Sequence, residues 1–91
     1  MTTIHVTQEH IDRGAAGDCY ACPVALAILD KVQPGLEIDV QPDQYSFYDD
    51  GYGEWKYFPI EVNKWIGRFD NDEKAEPFSF DLDIPSDLLR P

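Results

Sequence analysis

Two thiols carry the most reactive chemistry in this chain. Cys19 and Cys22 are its only cysteines, spaced C-x-x-C inside D-C-Y-A-C-P-V-A-L-A-I-L, Asp18 to Leu29. At a helix N-terminus such a pair suits thiol–disulfide exchange, because the helix dipole and free N–H groups favour the thiolate. Against that use, Gly14 to Asp18 reads as a loop rather than a buried strand, and Pro23 directly follows Cys22. A zinc ion needs four nitrogen or sulfur ligands, and the only two histidines complete a candidate set of Cys19, Cys22, His5 and His10. The five-residue step from His5 to His10 crosses a strand-to-helix junction, which is not a ligand pair on one helix face. The third reading makes Cys22 a small buried residue at a helix start and Cys19 a partly exposed thiol. The residues favour this third reading, and no cofactor is expected. A small zinc-binding or thiol-redox module on the C-x-x-C pair is the alternative.

Other catalytic patterns are missing. There is no Gly-rich phosphate loop and no G-x-S-x-G, and no nucleophile stands at a recognised spacing from a base. Asp70-Asn71-Asp72 resembles the start of a calcium loop, but Ala75 stands where its glycine belongs and Asp81 where its glutamate belongs. The chain therefore reads as a non-enzyme. What stands out is aromatic and acidic: Tyr45, Tyr48, Tyr52, Trp55 and Tyr57 interleave with Asp43, Asp49, Asp50 and Glu54. A strand buries only every second side chain, so part of this set must face water or a partner. Tyrosine and tryptophan anchor interfaces, and carboxylates around them steer a basic surface toward them. These nine residues are the candidate partner-binding set.

The elements that position them follow from periodicity. Ile4 and Val6 alternate with polar residues in a short first strand; Thr7 caps a helix, with Glu9 in its first turn, that ends at Gly14. Asp18 or Cys19 caps a second helix carrying Val24, Leu26, Ala27, Ile28 and Val32, stopped by Pro34-Gly35. Leu36–Val40 alternates apolar against acidic, Gln44–Tyr48 pairs with it, and Glu54–Phe58 adds a further short strand. After Pro59, Val62, Trp65, Ile66 and Phe69 repeat at helical spacing. Phe78–Ile84 alternates once more, and a proline-bounded tail follows. This order predicts an α+β fold: a small, mostly antiparallel sheet of four or five strands with about three helices on one face. Residues 1–91 form a single domain on this reading.

Composition narrows the partners. A hydrophobic fraction of 43% is too high for a disordered chain, and no apolar run approaches the roughly 20 residues of a membrane span. The first residues lack the basic and apolar regions of a signal peptide, so a cytoplasmic location is expected, with no membrane partner. Net charge is -11, from 18 acidic and 7 basic residues. Up to Pro34 there are 4 acids and 2 bases; beyond it there are 14 and 5, so the negative field belongs to the later part. That field repels phosphate backbones and attracts basic protein surfaces, which excludes direct nucleic-acid binding.

Four sets of residues stand out together: Ile4, Val6, Thr7, Ile11 and Gly14; C-P-V-A-L-A-I from Cys22 to Ile28; Pro59 to Asp70; and P-F-x-F-x-L from Pro77 to Leu82. In these the chain resembles a family of short proteins from actinobacteria and their phages with no assigned activity. The resemblance implies a phage or prophage accessory protein and carries over no catalytic residue. With the acidic field it leads to the expected function: binding the basic surface of a host nucleic-acid-binding defence or regulatory protein. DNA-like charge mimicry of the anti-CRISPR or anti-restriction type is the form this would take.

Overall fold

Thr7 turns the chain out of its first strand. Its hydroxyl accepts from the His10 backbone N–H at 3.4 Å, while His10 Nδ1 accepts from the Thr7 backbone N–H at 3.0 Å. This is a reciprocal capping box in which histidine takes the place usual for Glu or Gln. The computed structural model describes residues 1–18, 20–48 and 54–90. Their elements run β1 (Thr2–Val6), α1 (Gln8–Arg13), α2 (Pro23–Leu29), β2 (Glu37–Val40), β3 (Gln44–Tyr48), β4 (Lys56–Tyr57), α3 (Ile60–Asp70) and β5 (Phe78–Leu82), with a 3-10 turn at Ser86–Leu88.

The α+β class is as expected, but the strands divide between two sheets rather than one. β1 pairs antiparallel with β5, Ile4 opposite Phe80 and Val6 opposite Phe78, in a two-stranded ribbon. The other sheet has order β2-β3-β4 and is antiparallel throughout, Ile38 opposite Phe47 and Val40 opposite Tyr45. Helix α2 packs against both β1 and β2, and α1 packs against α2. It is thus the piece that joins the two sheets. The division has a simple cause: alternation fixes which face of a strand is wet, and says nothing about which distant strand it pairs with.

The start of α2 also differs from expectation. Cys22, not Asp18 or Cys19, is the N-cap, and its Sγ accepts from the Ala25 N–H at 3.4 Å. Pro23 at the first helical position requires the residue before it to be extended, so the cap can only be Cys22. Asp18 governs the turn ahead of the helix instead, its Oδ1 accepting from the N–H groups of Tyr20 and Ala21 at 2.9 and 3.2 Å. Gly14 lies so close to Pro23 that a Cβ there would stand 2.5 Å from the ring Cδ. Val32 falls outside the helix; it bridges to Leu89, where Gln33 N–H donates to Leu88 and Arg90 N–H to Lys31.

The core draws on every layer: Ile4, Val6, Val24, Ile28, Val32, Ile38 and Val62 are all at or below 1% exposure. Each such aliphatic side chain contributes about 1.5–3 kcal/mol on burial. On α3, Val62, Trp65 and Ile66 face in. The Trp65 ring stacks on Phe78 at 4.9 Å and on Phe69 at 5.6 Å, and its N–H donates to the Glu76 carbonyl at 2.8 Å. The Cα radius of gyration is 12.2 Å. No helix among the described residues is long and apolar enough to cross a membrane.

Candidate partner-binding face

The register of β2-β3-β4 sorts the acidic and aromatic residues by face. On β3, Tyr45 and Phe47 oppose Val40 and Ile38, so they point to the core side. Gln44 and Ser46 point the other way, opposite Tyr57 and Asp39 respectively. The outer face therefore carries Tyr57 together with Asp39 and Glu37. Its edge strand β4 is only Lys56 and Tyr57, shorter than the expected Glu54–Phe58. Phe58 has left the ladder to enter the core, stacked on Tyr45 at 4.7 Å, while its N–H donates to the Asp43 carbonyl at 3.0 Å.

Of the nine predicted partner residues, Asp43, Glu54, Trp55 and Tyr57 are exposed. Tyr57 is 78% exposed and Trp55 45%, high values for rings of that size. Both belong to the few large apolar side chains left in water, with Ile60 beside them in the chain. Tyr45 is a correction: only 3% exposed, it cannot offer its ring to a partner's surface. It lies opposite Val40, and the same alternation that buries Val40 buries Tyr45. Burial, and secondarily the Asp83 carboxylate, push the Tyr45 phenol above its ordinary value of 10.0. Tyr48 closes β3 by its backbone, its side chain lying outside the described part; Asp49, Asp50 and Tyr52 fall outside the described residues.

The three zinc candidates among the described residues, His5, His10 and Cys22, do not form a metal-holding group. His5 stands on the wet face of β1 and shares a hydrogen bond with Ser79 at 2.8 Å. His10 is buried with both ring nitrogens engaged, Nδ1 in the capping box and Nε2 at 2.6 Å from Asp30 Oδ2. Since Nδ1 accepts from Thr7, the neutral ring carries its proton on Nε2 and donates it to Asp30. The Cys22 sulfur caps α2 at 5% exposure, and Cys19 lies outside the described residues. Among the described residues no three His, Cys, Asp or Glu stand close enough to hold a metal ion. Asp70, the first acid of the calcium-like stretch, accepts from the Gly17 N–H at 3.0 Å and ties α3 to the loop before α2.

Sequence reasoning missed two charged groups on the other side of this sheet edge. Asp83 and Lys56 line a cleft of about 170 Å³ together with Tyr45, Phe47 and Glu54. The register could have placed Lys56, which sits opposite Tyr45 and so on the side away from Tyr57. No local signal places Asp83, which lies beyond β5 and reaches the cleft only through tertiary packing. Compared with protein-family models, with curated proteins and with solved structures, the chain finds no match in any of the three.

Proposed function

We propose that this chain is a non-enzymatic, phage-type accessory protein that binds a basic surface of a host nucleic-acid-binding protein, imitating the charge of DNA. One observation carries the reading: Trp55 and Tyr57 remain exposed at the edge strand of the β2-β3-β4 sheet, in a segment bearing the exposed carboxylates of Asp43 and Glu54. Large aromatic side chains held in water are what an interface buries, and carboxylates beside them select a positive partner. The net charge of -11 supplies the long-range attraction.

The test is retention of host proteins on the immobilised chain at low salt, followed by mass spectrometry. Basic nucleic-acid-binding proteins are the expected catch, released by added duplex DNA and lost on charge reversal at Asp49, Asp50 and Glu54 or on Tyr57→Ala. Retention indifferent to those substitutions, or a catch that DNA does not displace, would remove the mimicry reading.

A further inference from the structure

The cleft between β3-β4 and the segment after β5 has chemistry of its own. Tyr45 and Phe47 supply aromatic walls, Pro85 an apolar edge, and Glu54 and Asp83 two carboxylates. Neither carboxylate enters a hydrogen bond or ion pair among the described residues, where the ion pairs are His10–Asp30, Arg13–Glu9 and Lys74–Glu76. The second observation is the Tyr45 hydroxyl. Its ring is fixed by stacking on Phe58 at 4.7 Å and by edge contact with Phe47 at 5.8 Å. With 97% of the residue covered, the phenol oxygen has no hydrogen-bond partner among the described residues, yet it is not sealed in the interior. Tyr45 lines the cleft together with Asp83, whose carboxylate acts on the phenol.

A buried phenol held by ring stacking, without a hydrogen-bond partner among the described residues and lining a cleft with two unpaired carboxylates, calls for a cationic hydrogen-bonding ligand. Of the cations that proteins present, the guanidinium group fits best. It lies flat on aromatic rings and offers donors in its plane to carboxylates on either side. We infer that the Tyr45, Glu54 and Asp83 cleft is a receptor site for an arginine side chain of the partner. The inference rests on the partner-binding reading above and adds an anchor for that partner on the side of the β4 edge opposite to Tyr57. Lys56, on the same rim, makes no ion pair among the described residues and acts as a local competitor, because its ammonium opposes any incoming cation.

The experiment is a titration of the isotope-labelled protein with N-acetyl-arginine amide, followed by amide chemical shifts, with the neutral isostere N-acetyl-citrulline amide in parallel. Saturable shifts centred on Tyr45, Glu54, Lys56 and Asp83 are expected with the arginine compound. The citrulline compound should bind about tenfold more weakly or worse. Asp83→Asn and Glu54→Gln should each weaken binding about threefold, and Lys56→Gln should tighten it by a similar factor. Each variant is accepted only if its amide spectrum retains the native dispersion. Equal binding of citrulline, shifts scattered over the acidic surface, or weaker binding by Lys56→Gln would overturn the assignment. If arginine fails to localise while the host catch persists and needs Tyr57, the cleft is wrong and the proposed function stands. If arginine binds and no basic protein is retained, the reverse holds.

Discussion

Replacing Gly14 by alanine tests the packing that joins α1 to α2. Gly14 has φ -76 and ψ 156, extended values that any residue adopts, so alanine suffers no backbone strain there. By chain entropy alone the substitution would stabilise by about 0.4–1 kcal/mol. The new methyl, however, would stand 2.5 Å from Pro23 Cδ, 2.6 Å from Cγ and 2.7 Å from the backbone nitrogen. Those atoms belong to a closed ring fixed at the first position of a helix, so they cannot rotate aside. Forcing extra atoms into such a contact costs about 1–3 kcal/mol, which leaves a net loss of about 1–2 kcal/mol after the entropic gain. For a domain of this size that is a fall in Tm of about 5–15 °C. Gly67 provides the opposite case, since it lies within α3 and a Cβ there meets nothing within 4 Å. Gly67→Ala should therefore raise stability by about 0.5–1 kcal/mol. Thermal unfolding of both variants by circular dichroism, with urea titrations at one temperature, reads the two signs side by side. A Gly14→Ala protein as stable as the parent would refute the close approach to Pro23 and the reasoning built on it.

Two further predictions concern buried polar groups. The Tyr45 phenol, pushed up from 10.0, keeps its proton in the folded protein where the unfolded chain gives it up; its contribution is whole below about pH 10 and is lost as pH rises through the folded value. Urea unfolding between about pH 9 and 12 should therefore show a steeper alkaline loss of stability for the parent than for Tyr45→Phe, and equal slopes would contradict it. His10→Ala leaves the Thr7 hydroxyl capping the residue-10 N–H but removes the side-chain half of the capping box and the bond to Asp30, two hydrogen bonds worth about 2 kcal/mol together. Asp30→Asn should cost no more than about 0.5 kcal/mol because that carboxylate is 64% exposed, and a larger effect than His10→Ala would reverse this ranking.

What the sequence discloses here is local and what it withholds is tertiary. Thr7 and Gly14 bracket α1 by cap chemistry, Gln44–Tyr48 is β3 to the residue, and the spacing of Val62, Trp65 and Ile66 marks the buried face of α3. Tyr45 was legible too: antiparallel pairing with β2 sets it beside Val40, so its burial follows from the alternation that identified both strands. Pro23 likewise names Cys22 as the cap once the helix is granted. Other features have no local trace. Val32 continues an apolar run and reads as helix, yet its partner is Leu89 in the tail. The pairing of His10 with Asp30 spans 20 residues with no spacing rule to announce it. The same is true of the cleft, where Asp83 meets Tyr45 and Glu54 only because the chain beyond β5 returns over the second sheet.

The pairing of β1 with β5 has a consequence for how the chain is made. β2, β3 and β4 neighbour one another in sequence as well as in space, so their sheet has all its strands once residue 57 has left the ribosome. β1 emerges first and has no strand to pair with until Leu82, the partner of Thr2, follows it out. At synthesis rates of about 5–20 residues per second, that delay is about 4–16 s. During it, Ile4 and Val6 are a short apolar strand with open edges, the kind of segment that other chains and chaperones engage. Thr3 and His5 interrupt them on alternate positions, which limits how far such a stray pairing can spread before the proper partner arrives.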